Sequence, residues 1–139
     1  MKINSTDIGI TTAKLTESRD FYVKHLGFQA VWEGEWYIHL QNGGIAIGLL
    51  QPNHPSQPSV FHKPYGGHGM WISFEVNDVD AEYARLRAAG IAMDLEIKDE
   101  PWGQRHFSFR DPNGVAIDVM KKTPMAAEYQ SGYAESAVS

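Results

Sequence analysis

The stretch PWGQRHFSFRDPNGVAIDVM, residues 101–120, decides the fold because two alternating runs flank a tight turn. In RHFSFR and VAIDVM, apolar residues alternate with polar or small ones, which is typical of half-buried strands. The Asp-Pro-Asn-Gly segment between them is typical of a turn. Asp118 lies inside the second run, and three roles are open to its carboxylate: metal ligand, pocket wall or solvent-facing residue.

The pattern extends outward through the rest of the second half. MWISFEV, residues 70–76, predicts a strand, and VDAEYARLRAAG, residues 79–90, predicts a helix capped by Asn77 or Asp78 and ending at Gly90. The apolar face of this helix consists of Val79, Tyr83 and Leu86. MDLEI then predicts a further strand ahead of RHFSFR and VAIDVM.

The first half has the same layout. DIGITTAK, residues 7–14, predicts a strand, and LTESRDFYVKHLG, residues 15–27, predicts a helix with Thr16 as N-cap and Gly27 as its stop. One face of this helix carries Phe21, Tyr22, His25 and Leu26. Three strands follow, predicted over FQAVW, WYIHL and IAIGLL.

Each half therefore reads strand, helix and three strands, which predicts an α+β fold with a duplicated layout; an α+β domain without internal symmetry is the alternative. The predicted boundaries are a first module at 5–50, a Pro-rich linker at 51–69, a second module at 70–121 and a tail at 122–139. The linker is typical of spacers, lids or binding loops. The tail is expected to be a flexible end too poor in apolar residues to dock, with a short helix in its middle as the alternative.

Composition narrows the functional classes. The 139 residues contain no cysteine, which excludes disulfides and thiolate chemistry, and the net charge of −5 argues against nucleic acid as a partner. No apolar run is long enough to span a bilayer and no signal peptide is visible at the N-terminus, so a cytoplasmic protein without membrane contact is expected.

Strand alternation predicts a cavity. In four of the strands one face carries branched residues, and the other carries small or polar residues together with Trp71. The branched faces are expected to pack under the helices. The opposite faces lack the Lys and Arg of water-exposed strands, so a concave cavity is favoured over a solvated sheet face. These faces consist of Asp7, Gly9 and Thr11; Gly44, Ala46, Gly48 and Leu50; Trp71, Ser73 and Glu75; and Ala116, Asp118 and Met120.

The segments LTESRDFYVKHLGF, ISFEVNDVDAEYARLRAAGI and PWGQRHFSFRDPNGVAIDV resemble those of the glyoxalase, bleomycin-resistance and extradiol-dioxygenase group, also called the vicinal oxygen chelate superfamily. The resemblance covers about residues 5–121. It implies two βαβββ modules whose curved mixed sheets surround a cleft, commonly in a homodimer. In the enzymes of this group the cleft holds a divalent metal, bound on the opening and closing strands of each half.

By that resemblance the metal positions fall on Asp7, Gly48, Trp71 and Asp118. Glycine offers no ligand atom and tryptophan does not coordinate, so neither a metal nor another cofactor is expected. The alternative is a divalent Zn, Ni, Mn or Fe ion held by shifted ligands, with His68, His39 and Asp118 as candidates.

The segment EPWGQRHFSFRDPNG is most similar to the metal-free bleomycin-resistance branch, whose members sequester a cationic drug without a reaction. The chain is therefore expected to be a metal-independent small-molecule binding protein, active as a homodimer, with a planar or cationic ligand and no catalytic residue. The alternative is a metal-dependent lyase, isomerase or dioxygenase of the same superfamily. The predicted ligand-binding residues are Trp71, Ser73, Glu75, Trp102, Trp36, His39, Asp118 and Asp7.

Overall fold

The computed structural model describes residues 1–134. These residues form two compact units. The first unit comprises residues 1–68 with 111–115, and the second begins at Gly69 and lacks that turn. None of the helices in the described part of the chain is long and apolar enough to cross a membrane.

The first unit is a four-stranded mixed sheet with one long helix. Its elements are β1 (Thr6–Thr11), α1 (Leu15–Leu26), β2 (Gln29–Glu33), β3 (Tyr37–Asn42) and β4 (Ile45–Leu50). The strand order is β1-β4-β3-β2, with β1 parallel to β4 and the other pairs antiparallel. Helix α1 packs on β3 and β4, where the branched side chains of Leu40, Ile47 and Leu49 are fully buried.

Local sequence explains both ends of α1. Gly27 ends the helix with φ of 70°, a left-handed conformation that glycine adopts without strain, as predicted. The predicted N-cap, Thr16, is wrong because the helix already begins at Leu15, after Lys14. The hydroxyl of Thr12 instead accepts a hydrogen bond from the Lys14 backbone N–H at 2.8 Å.

The second unit repeats this arrangement. Its elements are β5 (Trp71–Glu75), α2 (Val79–Ala88), β6 (Met93–Glu100), β7 (Gln104–Arg110), β8 (Ala116–Lys122) and α3 (Ala127–Gln130). The strand order is β5-β8-β7-β6, with β5 parallel to β8. Asp78 caps α2 by accepting from the Ala81 backbone N–H at 3.0 Å, which decides between the two predicted caps. Val79 and Leu86 on the predicted face are buried, and Tyr83 is half-buried.

The two sheets have the same strand order, each with its first strand parallel to its last. This confirms the α+β class and the duplicated layout. In both halves the chain leaves the first strand, forms a helix, and returns through a three-stranded meander whose last strand pairs with the first.

The Pro-rich segment that follows β4 packs on the first unit. The Thr11 hydroxyl donates to the Phe61 carbonyl at 2.6 Å, and the Tyr65 N–H donates to the Thr11 carbonyl at 3.2 Å. A short 3₁₀ turn covers Ser59–Phe61. The segment is therefore held against β1 and is more than a free spacer between the modules.

The tail begins after its predicted start at residue 122, because β8 continues to Lys122. Its contacts also differ from the prediction. The Thr123 N–H donates to the Gly103 carbonyl at 2.9 Å, and the Ala126 N–H donates to the Pro101 carbonyl at 2.8 Å. The tail therefore docks through its backbone, which apolar content does not reveal. The short α3 lies in its middle, and the prediction of flexibility for residues 135–139 lies outside the described residues.

Candidate functional site

A cavity of 320 Å³ lies in the first unit. This volume is within the range of pockets that hold small molecules, about 300–1,000 Å³. It opens on the small-residue face of the first sheet, where the strand pattern predicted one. The lining residues are Gly9, Ile10, Thr11, Tyr37, Gly48, Leu50, Gln57 and Phe61.

Two glycines form the floor of the cavity. Gly9 of β1 is the parallel register partner of Gly48 of β4, so two residues without side chains lie next to each other. A Cβ placed on Gly9 would meet no atom within 4 Å, which means that open space lies above this residue. The floor is therefore a flat stretch of peptide backbone.

Tyr37 closes the floor on the β4 side. Its ring lies over Gly48, where an added Cβ would fall 2.9 Å from the Tyr37 Cζ atom and would overlap its hydroxyl oxygen. That hydroxyl lies 3.2 Å from Nδ1 of His39. Burial and, to a lesser extent, the negative charge of Asp7 raise the pKa of Tyr37, so its hydroxyl stays protonated in neutral solution.

The Pro-rich segment supplies the remaining wall through Phe61 and Gln57. The hydrogen bond from Thr11 to the Phe61 carbonyl fixes this wall to β1. Because the other lining residues are mainly apolar, the cavity combines two aromatic rings with few polar groups.

A second polar arrangement crosses the sheet of the second unit. The Ser73 hydroxyl donates to Asp118 Oδ2 at 3.1 Å, His106 Nδ1 lies 2.6 Å from Asp118 Oδ1, and His106 Nε2 lies 3.2 Å from Glu100 Oε1. These residues belong to β5, β8, β7 and β6, so the chain of contacts follows the strand order across the whole sheet. The side chains of His106, Glu100 and Asp118 are only 10–13% exposed.

Mutual pairing offsets the cost of burying these ionisable groups. Burial raises the pKa of Glu100, but hydrogen bonds with His106 and Lys98 outweigh it and hold the pKa below its ordinary value. Trp102 packs edge-on against the His106 ring, with 6.3 Å between ring centroids. The arrangement thus already uses both ring nitrogens of the histidine, so it supplies no unengaged base for catalysis.

The four positions that the family resemblance assigns to a metal do not fit one in either unit. In the first unit Asp7 would act alone, because Gly48 has no donor and lies under Tyr37. In the second, Trp71 offers no ligand atom and Asp118 already contacts Ser73 and His106. Among residues 1–134 no group of three or more His, Asp or Glu side chains could hold a metal ion.

The three fallback ligands are divided between the two units. His68 is exposed in the segment before β5. His39 lies on β3 of the first unit, and Asp118 lies on β8 of the second. The imidazole of His106 also stands between Asp118 and Glu100, since each of its nitrogens faces a different carboxylate.

The predicted ligand-binding residues lie in both units. In the first, Asp7 is exposed on β1, His39 is half-buried beside Tyr37, and Trp36 stacks on His54 with ring centroids 3.8 Å apart. None of these three lines the cavity.

In the second unit, Ser73 and Asp118 are hydrogen-bonded to each other, and Trp71 is 67% exposed. Glu75 forms a surface ion pair with Lys122 at 3.7 Å. The Trp102 indole donates to Gln104 Oε1 at 2.9 Å.

Sequence reasoning placed Gly9, Thr11, Gly48 and Leu50 on the faces that enclose the cavity, but it missed Gln57 and Phe61 of the lining and the pair His106 and Glu100. The position of Gly9 and Gly48 on the small-residue faces could be predicted from the sequence, because both glycines alternate with branched residues along their strands. His106 was detectable as well: it alternates with Phe107 and Phe109, which are fully buried, so its side chain had to lie on the opposite face with Asp118.

Comparison with known proteins identifies the family of this chain. The model of the Glyoxalase/Bleomycin resistance protein/Dioxygenase superfamily matches residues 2–119. Protein YaeR of Escherichia coli (strain K12) is 27% identical over 83% of this chain and 93% of its own length. The anthracycline biosynthesis protein DauV of Streptomyces sp. (strain C5) is 28% identical over 83% of this chain, which spans only 46% of DauV.

Solved structures share the fold. TnmS3, an antibiotic binding protein from Streptomyces sp. CB03234, superposes with a TM-score of 0.68 at 23% identity over 88% of this chain and 98% of its own. Lactoylglutathione lyase from Agrobacterium tumefaciens gives a TM-score of 0.69 at 20% identity over 87% of this chain and 95% of its own. The same fold thus occurs in a binding protein and in a lyase.

Proposed function

We propose that this chain, which belongs to the glyoxalase/bleomycin resistance protein/dioxygenase superfamily, binds a small molecule without the help of a metal. Its ligand is planar and lies in the cavity of the first unit, with Asp7 available to a cationic group. The observation that carries this proposal is the 320 Å³ cavity between the glycine floor and the rings of Tyr37 and Phe61.

The shape of the cavity favours a flat ligand. A fused aromatic ring can lie against the backbone at Gly9 because no side chain projects there, and the Tyr37 ring that covers the neighbouring Gly48 borders this space. The rings of Tyr37 and Phe61 supply apolar and polarisable walls. Aromatic pairs in such settings contribute about 0.5–1.5 kcal/mol beyond the area they bury.

Charge favours a cation at one end of the ligand. Asp7 is near enough to Tyr37 for its negative charge to raise the pKa of that phenol, so the same charge would attract a cationic substituent. The net charge of −5 adds long-range attraction. The antibiotic-binding protein TnmS3, which has the same fold, gives a precedent for a binding role without assigning a ligand to this chain.

The donor set supports metal independence. A strong transition-metal site needs three or four protein ligands, whereas each unit offers a single carboxylate at the family positions. The homodimer is proposed on the family resemblance, and the aromatic and acidic residues predicted on the second sheet remain candidates for further ligand contacts.

Calorimetric titration of EDTA-treated protein with planar probes tests the proposal. The probes are 9-aminoacridine, which is cationic, and phenanthridinone, which is neutral. Gly9→Val places a branched side chain in the open space of the cavity, at a strand position that suits valine. We expect the dissociation constant of this variant to rise at least about tenfold for both probes, with no loss of stability.

Gly44→Val is the matched control, because Gly44 also has open space around it but lies outside the cavity lining. It should bind like the wild type. The proposal is wrong if no planar probe binds to the wild type, or if Gly9→Val binds the probes as tightly as the wild type does. Stoichiometric zinc, nickel, manganese or iron in purified protein, with binding lost on EDTA treatment, would favour the metal-dependent lyase, isomerase or dioxygenase instead.

A further inference from the structure

Gln57 is the cavity-lining residue with the greatest hydrogen-bonding capacity. It lies in the Pro-rich segment, in a flap of residues 53–62 whose base is closed by a hydrogen bond of 3.1 Å from the Asn53 N–H to the His62 carbonyl. On the premise of the proposed function, we infer that Gln57 selects the ligand: it pairs with an N–H and an adjacent carbonyl on the edge of a planar fused-ring lactam.

The backbone of Gln57 is fixed on both sides. Its N–H donates to the His54 carbonyl at 3.1 Å, and its carbonyl lies 2.8 Å from His62 Nε2, which donates to it. The ring of His54 stacks on Trp36 with an interplanar angle of 13°. The flap thus holds Gln57 in a defined position, which lowers the entropy cost of using its side chain in binding.

The side chain of Gln57 is less committed than its backbone. In the part of the chain that the structure describes, its carboxamide makes one long hydrogen bond, 3.3 Å from Nε2 to the Ser56 hydroxyl. A carboxamide has two N–H donors and a carbonyl that accepts two hydrogen bonds. One donor and the carbonyl oxygen are therefore available to a ligand.

The other polar groups of the lining are already engaged. The Thr11 hydroxyl donates to the Phe61 carbonyl, and the Tyr37 hydroxyl contacts His39. Gln57 is the lining side chain that offers an N–H donor beside a carbonyl acceptor, and we assign discrimination at this site to it. The edge that complements a carboxamide carries an N–H donor beside a carbonyl acceptor, so that two parallel hydrogen bonds form.

The predicted selectivity is measurable with two matched probes. Phenanthridinone carries the complete lactam edge, and N-methylphenanthridinone has the same rings but no N–H donor. We expect the wild type to bind phenanthridinone at least about tenfold more tightly, because a site built for a donor rejects an analogue that lacks it. In Gln57→Met, a variant of similar length without the amide, the ratio of the two dissociation constants should fall to about one.

Gln57→Glu keeps an acceptor for the lactam N–H but loses the donor to the lactam carbonyl, so both probes should bind more weakly while their ratio stays near that of the wild type. Gln51→Met changes an exposed glutamine outside the lining and should keep the wild-type ratio. If both probes bind but Gln57→Met keeps the wild-type ratio, the inference about Gln57 is wrong and the proposed function stands. If the wild type binds no planar probe, both fail.

Discussion

At the level of single residues, Tyr37 and Gly48 determine the shape of the cavity. The phenol lies directly over the glycine, and its hydroxyl reaches His39 at 3.2 Å on the same strand. A larger residue at position 48 would displace the ring into the space that the ligand needs. Glycine is therefore required here by close approach of a side chain, whereas Gly9 is required only if the space above it is used.

Gly48→Ala tests this close approach. The added methyl group would overlap the Tyr37 ring, and we expect a loss of about 1–3 kcal/mol in the free energy of unfolding, as for overpacked interiors. Urea unfolding followed by circular dichroism measures it. Gly9→Ala, where the methyl group meets nothing within 4 Å, is the control and should cost far less. Equal stability of the two variants would contradict this account of Gly48.

At the level of elements, the turn Asp111–Val115 is tied to α1 within the first unit. Asp111 Oδ1 accepts from the backbone N–H groups of Asn113 and Val115 at 2.8 and 2.9 Å, which shapes the turn itself. Asp111 Oδ2 accepts from the hydroxyl of Tyr22, a residue of α1 with no exposed surface, at 2.7 Å. Burial and the charge of Asp111 raise the pKa of Tyr22, which keeps the phenol as the donor.

Tyr22→Phe removes that donor and leaves a buried carboxylate oxygen that, among residues 1–134, keeps one contact, to Asn113 Nδ2 at 3.3 Å. We expect a loss of about 1–3 kcal/mol in the free energy of unfolding, since a buried acceptor loses its partner. Tyr83→Phe serves as control, because the Tyr83 hydroxyl contacts Glu96 at an exposed site and its loss should have a much smaller effect. Thermal unfolding of both variants compares them, and similar shifts would contradict a special role for the Tyr22–Asp111 contact.

Strands and helices were predictable because their signals are local. Alternation located the strands, and Gly27 marked the end of α1 through its positive φ. The start of that helix was misjudged because Thr12, two residues before Lys14, binds the Lys14 N–H across the strand-to-helix turn. This contact is a local turn between residues two positions apart, and the helical spacing of apolar residues does not reveal it.

At the level of the whole molecule, the duplicated layout was predictable, whereas the contents of the site were less so. Periodicity showed that Gly9 and Gly48 share the small-residue faces, but it could not show that Phe61 and Gln57 fold back from the Pro-rich segment to complete a wall. Hydrogen bonds between residues about fifty positions apart, such as that from Thr11 to Phe61, hold this wall in place. The alternation of side chains along a strand predicts which strand residues face a cavity. It cannot predict which residues of a loop fold back to line it.

The homodimer is a prediction for the whole molecule. Trp71 on β5 is 67% exposed and its neighbour Met70 is 48% exposed, which is a large apolar surface to leave in water. Tryptophan is also enriched among the residues that contribute most to interfaces. We therefore expect sedimentation velocity to show a dimer at micromolar concentration, and Trp71→Lys to shift the equilibrium toward monomer by at least about tenfold in dissociation constant. Val60→Lys, at a site 78% exposed in the flap, should leave the dimer intact. A monomeric wild type, or a Trp71→Lys dimer as stable as that of the wild type, would contradict the role of Trp71 in a dimer interface.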